Sequence, residues 1–193
     1  MLSRLELRNR DIRWGSPLLK GLKYLEIIRP SANARPKLAV WVGVLDEMPQ
    51  LMTLTLHWAS PIAPSFPSVP LDVERTVTLP SLTRLDILAS PGDCALALAH
   101  LDLPALTWLR LTVISSEFPI VKDGEELLPY VARHAHGTQD TQPLQSVLIR
   151  SGRDDAGILA WTVPDIHVEV HNPPTLLAAT LAARVALAFR KNA

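Results

Sequence analysis

The chain has 193 residues, is 48% hydrophobic and 20% charged, and carries a formal net charge of +0. That length suits one domain or one short repeat array with a sizeable core, and the charge balance argues against general electrostatic capture of nucleic acid or of an anionic membrane. A single cysteine, Cys94, rules out a disulfide framework within the chain and points to a reducing, intracellular compartment, cytoplasm or nucleus.

The first predicted element is a strand, and it recurs. The phrase L-x-x-L-x-L reads Leu2-Leu5-Leu7, Leu22-Leu25-Ile27, Leu51-Leu54-Leu56, Leu82-Leu85-Ile87, Leu106-Leu109-Leu111 and Leu144-Val147-Ile149. Two apolar residues at spacing two make a strand that buries one face. Repetition every few tens of residues predicts a stack of like units, each burying its apolar face against its neighbours. The phrase begins at 2, 22, 51, 82, 106 and 144, so the steps are 20, 29, 31, 24 and 38 residues. Leucine-rich repeats run about 20–29 residues per unit. Three steps fall in that range, one slightly exceeds it and the last is long.

The connecting segments follow in chain order. Met1 leads straight into the first phrase, and no signal peptide is expected. Residues 1–37 hold nine Lys and Arg against three acids, an excess of six that is expected to be a solvated rim. Ser16-Pro17-Leu18-Leu19-Lys20-Gly21 has a capping serine, proline at the first helical position and a terminal glycine, so one tight helical turn is expected. Leu38, Trp41, Val42, Leu45 and Met48 keep helical spacing. Pro61, Pro64, Pro67 and Pro70 recur every three residues, the period of polyproline II; a stiff extended segment across the convex side is expected, with a P-x-x-P docking ligand for an SH3-like groove as the alternative. Asp93 is expected to cap a helix from Cys94 to His100. Asp123 and Glu126 make a capping-box pattern before Leu127 and Leu128, with Pro129 as a restart. A surface loop is expected over Gly137 to Pro143, a short helix over Asp155 to Trp161, and a seventh strand at Val163-Ile166-Val168. Asn172 and Pro173 open a helix carrying Leu176, Leu177, Leu181, Val185, Leu187 and Phe189, suited to covering one end of the stack. Its apolar stretch is shorter than a bilayer requires and Arg184 interrupts it. The first phrase has no such cover, so a longer natural N-terminus, a partner or a second copy is expected there.

The segments Leu79-Pro80-Ser81-Leu82-Thr83-Arg84-Leu85-Asp86-Ile87 and Leu103-Pro104-Ala105-Leu106-Thr107-Trp108-Leu109, with the apolar run Asp93 to Leu101 between them, resemble the leucine-rich-repeat region of fungal F-box-type proteins. The resemblance covers roughly residues 1–170. It implies an α/β fold of the irregular leucine-rich-repeat solenoid kind: a parallel concave sheet, short helices and loops on the convex side, and a C-terminal capping helix over 171–193 of the same domain. It also implies target recognition for a cullin-type ubiquitin ligase. The F-box itself has no counterpart in this sequence, so the resemblance carries adaptor binding onto no residue here. The asparagine or cysteine that usually follows each phrase is replaced by Arg10, Pro30, Ala59, Ser90, Ile114 and Gly152, and uneven curvature is expected from its loss.

With the leucines facing in, the third, fifth and seventh phrase positions share the opposite face. The third column reads Arg4, Tyr24, Thr53, Arg84, Trp108, Ser146. The fifth reads Glu6, Glu26, Thr55, Asp86, Arg110, Leu148, and the seventh Arg8, Ile28, His57, Leu88, Thr112, Arg150. Aromatic and Arg side chains dominate protein interfaces. The expected protein-binding residues are Tyr24, Glu26, His57, Trp58, Arg84, Asp86, Trp108, Arg110 and Arg150, and Asp86 and Arg110 are also placed to pair across neighbouring strands. The sequence contains no G-x-S-x-G, P-loop or G-x-G-x-x-G phrase. His134 and His136 lack further ligands at zinc spacing, and Cys94 reads as a small core residue. No catalytic residue, metal or cofactor is therefore expected, and the partner is expected to be a protein rather than nucleic acid or membrane. A leucine-rich-repeat scaffold or inhibitor unrelated to ubiquitin is the nearest alternative. An enzyme on an α/β fold, with the phrases as ordinary parallel strands, is the more distant one.

Overall fold

The structure, a computed structural model, describes residues 2–62, 75–113, 129–131, 146–151 and 156–161, the last two segments as backbone. Strands β1 (Arg4–Arg8), β2 (Tyr24–Ile28), β3 (Thr53–His57), β5 (Arg84–Ala89) and β7 (Trp108–Val113) are the first five leucine phrases. They pair in that order, all parallel, with equivalent phrase positions opposite one another: Leu5, Leu25, Leu54, Leu85 and Leu109 form one line, and Leu7, Ile27, Leu56, Ile87 and Leu111 the next. The register is fixed by burial, since a slip of one residue would turn every leucine to the opposite face. From β2 to β7 these inner side chains are almost completely excluded from solvent, each stabilising the fold by roughly 1.5–3 kcal/mol. Strand β1 is the edge. Its Leu5 and Leu7 are only half-buried, and Leu2 is 45% exposed.

The same backbone hydrogen bonds recur at each junction. The carbonyl of the second phrase residue accepts two amides from the next strand: Ser3 from Lys23 and Tyr24, Lys23 from Met52 and Thr53, Met52 from Thr83 and Arg84, and Thr83 from Thr107 and Trp108. At the other end of the strands the first three units turn through the left-handed residues Asn9, Arg29 and Trp58. Each donates its amide to the seventh-position carbonyl of the next strand, at Ile28, His57 and Leu88, over 2.7–2.9 Å.

Parallel strands require crossovers. The first contains a 3-10 turn, Pro17–Leu19, in which Ser16 Oγ accepts the Leu18 amide and Gly21 takes φ 72, as the Ser-Pro and terminal glycine predict. The second contains helix α1 (Leu38–Asp46), which buries Trp41, Val42 and Leu45. Helix α2 (Pro91–Ala99) lies between β5 and β7 and is almost wholly buried. It begins earlier than expected. Ser90 is the cap, its Oγ accepting the Asp93 amide, and Pro91 takes the first helical position. A second, two-stranded parallel sheet joins β4 (Val77–Thr78) to β6 (Leu101–Asp102), each five residues ahead of its phrase. His100 supports it, its Nδ1 lying 2.7 Å from the Arg75 carbonyl oxygen.

The sixth phrase departs from the stack. Strand β8 (Ser146–Ser151) contains it but does not pair with β7; β9 (Ala156–Trp161) lies between them, antiparallel to both. The helix expected over 155–161 is therefore a strand. Ala156 to Trp161 is a short apolar run whose period cannot separate helix from strand, and two neighbouring strands satisfy its backbone better than an isolated helical turn would. The sheet is thus α/β in class, with five parallel strands and an antiparallel hairpin at one edge. Residues 129–131 are helical, with Val131 in the core. The remainder of the expected 123–136 helix, the loop at 137–143, the prolines at 64, 67 and 70, the strand at 163–168 and the helix after Asn172 lie outside the described residues.

The turns hold one feature that the charge pattern hides. Arg35, counted in the basic N-terminal segment, is not part of a solvated rim. Its side chain is 13% exposed, and its Nη2 lies 2.6 Å from Oδ2 of Asp93, itself 6% exposed. Its Nε donates to the Ser60 carbonyl over 2.9 Å. One guanidinium thus ties the second crossover, the turn after β3 and the first turn of α2, and it satisfies a turn carbonyl where the missing Asn or Cys would be expected to act.

Candidate functional site

The outer face of the parallel strands carries the three expected columns in register. Arg4, Tyr24, Thr53, Arg84 and Trp108 are aligned, as are Glu6, Glu26, Thr55, Asp86 and Arg110, and Arg8, Ile28, His57, Leu88 and Thr112. On β3 two of the outward residues, Thr53 and Thr55, are short, whereas Tyr24 stands on one side and Arg84 and Trp108 on the other. The difference in side-chain length leaves a hollow of about 140 Å³ lined by Tyr24, Thr53, Thr55, Arg84, Asp86 and Trp108. A hollow of that size has room for several waters or for one inserted side chain.

Two arginines are stacked on the flanking rings. The Arg4 guanidinium carbon lies 4.1 Å from the Tyr24 ring centre, and that of Arg84 lies 4.8 Å from the Trp108 ring centre. Such stacking holds a guanidinium in a defined place. Arg4 also pairs with Glu6, and that hydrogen bond raises its pKa. Glu26 is buried and fully engaged: Arg8 Nε donates to Oε1 over 2.8 Å, and the Tyr24 hydroxyl donates to Oε2 over 2.8 Å. Burial first, and then this hydrogen bond, raise the Tyr24 pKa, so the hydroxyl keeps its proton.

Asp86 is less well served. Its side chain is 14% exposed, and Oδ1 is shut from solvent without a hydrogen-bond partner among the described residues. His57 Nε2 lies 3.3 Å from that oxygen but is not aligned for a hydrogen bond. Arg110 Nη1 lies 3.9 Å from Oδ2, so the expected cross-strand pair is present but loose. Asp86 lies diagonal to His57 of β3 and directly opposite Arg110 of β7.

The face therefore brings together Tyr24, Glu26, His57, Arg84, Asp86, Trp108 and Arg110. Trp58 does not belong to it: its backbone lies at φ 59, in the turn after β3, and it is half-buried there. Arg150 shares the register line of Thr112 but is separated from it by Gly157 of β9, and its side chain lies outside the described residues. The threonines that create the hollow were in the columns, yet their shortness matters here, which only becomes visible beside the neighbouring strands. Arg4 and Arg8 were likewise in the columns, and the structure gives them the partners that the pattern alone could not.

Elsewhere, Cys94 is fully buried in α2, and burial together with the Asp93 charge pushes its thiol pKa up to about 12. Among the described residues, no three His, Cys, Asp or Glu side chains gather as a metal site, and no helix is long and apolar enough to cross a membrane. No family model, curated protein or solved structure matches the chain.

Proposed function

We propose that the chain is a non-catalytic protein-interaction module, an irregular leucine-rich-repeat solenoid whose outer sheet face binds a partner protein. The observation that carries this reading is the repeated carbonyl fork at four successive junctions. Each unit meets the next through the same contacts, as stacked repeats do, and the stack aligns Tyr24, Arg84, Trp108 and Arg110 on one accessible sheet face. Aromatic rings braced by arginines lose little side-chain entropy on binding, which is the composition of an interface hot spot. The partner role is target recognition for a cullin-type ubiquitin ligase. Its support is the resemblance of the L-P-x-L-x-x-L-x-L segments to F-box-type proteins, and the adaptor would be reached through an F-box not contained in this chain.

The test is affinity capture with wild type and with Tyr24→Ala/Trp108→Ala, quantified by mass spectrometry. Partners should be lost from the variant while its urea midpoint is kept, and their cellular abundance should rise when the chain is depleted. Partners lost without any change in abundance would favour a scaffold unrelated to ubiquitin. Partners retained by the folded double variant would refute the face.

A further inference from the structure

We propose that the hollow over β3 recognises a carboxylate: an acidic side chain of an extended peptide segment, seated on Arg84 with a neighbouring apolar residue against Tyr24 and Trp108. This rests on the protein-interaction reading above and specifies the chemistry of the partner.

The charges on the face lead to it. Among the described residues, the acids of the three columns each have an arginine close by: Glu6 has Arg4, Glu26 has Arg8, and Asp86 has Arg110. Arg84 is the cation left over. No carboxylate among the described residues lies within 4.0 Å of it; its recorded partner is the Trp108 ring. It is exposed and lines the hollow. A guanidinium held flat on an indole keeps its N–H edge free, and that edge matches a carboxylate. Thr53 and Thr55 line the same hollow, and a threonine hydroxyl can donate.

The Tyr24 hydroxyl is committed to Glu26, so its ring is what remains to meet a partner. Asp86 opposes an incoming anion, and Arg110 at 3.9 Å offsets it. A basic partner would have to approach Arg4, Arg8, Arg84 and Arg110 together, which outnumber Glu6, Glu26 and Asp86.

The experiment is selection of a random peptide library on the full chain, followed by affinity measurement with the enriched peptides. An Asp or Glu beside an apolar residue should dominate. Arg84→Ala should weaken these peptides by about 10- to 100-fold, and replacing the peptide acid by its amide should cost the same factor on wild type but little more on Arg84→Ala. Arg84→Glu should invert the selection towards Lys and Arg.

Enrichment of basic peptides on wild type, or of peptides that need a phosphate rather than a carboxylate, would overturn the proposal. Peptides that depend on Tyr24 and Trp108 but are indifferent to Arg84 would overturn it while leaving the interaction face standing. Peptides indifferent to all three, or no enrichment at all, would count against both.

Discussion

The Arg35–Asp93 pair makes the sharpest stability prediction. Both side chains are largely buried, their charges are 2.6 Å apart, and the guanidinium also holds the Ser60 carbonyl. Removing one partner leaves the other charge desolvated, which costs about 3–5 kcal/mol. Arg35→Met and Asp93→Leu should therefore each be severe, lowering the urea midpoint by about 1–5 M for a slope of about 1–3 kcal/mol per molar. The double variant Arg35→Met/Asp93→Leu removes both charges at once, and apolar replacement of a buried pair is often close to neutral apart from the carbonyl left unpaired. It should be no worse than the milder single variant, a coupling of at least about 3 kcal/mol. Tryptophan fluorescence reports the transition, since Trp41 is buried in the core. Raising salt to 1 M should barely change the coupling, because burial protects the pair from screening. Single variants within about 1 kcal/mol of wild type, or strictly additive effects, would refute the strut.

Leu54→Ala, at the centre of the parallel strands with 0% exposure, should cost about 2.7–5 kcal/mol by urea titration, whereas Leu2→Ala, at the exposed edge, should cost under about 1 kcal/mol. Arg29→Gly should raise stability by about 0.5 kcal/mol: it relieves a left-handed residue at φ 52, worth roughly 1–2 kcal/mol, against an added chain entropy of about 0.5–1 kcal/mol; a lower thermal midpoint would contradict this. Cys94 should resist a thiol reagent at pH 8 until the chain unfolds. Its pKa is raised from 9.0 to about 12, so the native state binds more protons than the unfolded state in between, and its contribution to stability should be present below pH 9 and fall from there to about pH 12. Reaction with the native protein as fast as with the unfolded one would exclude the burial.

Five strands, their direction and their register were legible because one rule, leucine at fixed spacing, sets both burial and alignment. The hollow was legible only in part. Its columns follow from the period of two, but its depth comes from Thr53 and Thr55 lying between Tyr24 and Arg84, a comparison across strands far apart in sequence. Short-range signals competed at α2: Ser90-Pro91-Gly92-Asp93 contains a serine cap three residues before an acid, and that pattern outranks Asp93 as the cap. The β9 strand was misread because Ala156 to Ala160 has no distinguishing period, so tertiary pairing decided it. Arg35 was hidden because composition places it among exposed cations, and only the fold brings Asp93, 58 residues away, to its side.

The stacking of equivalent units in parallel register is most directly tested by NMR scalar couplings measured across hydrogen bonds. Couplings should run from the amides of Lys23, Met52 and Thr83 to the carbonyl carbons of Ser3, Lys23 and Met52, whose N–O distances are 2.8–2.9 Å. Couplings displaced by one residue, or linking these strands in antiparallel order, would contradict the shared face and the binding role proposed for it.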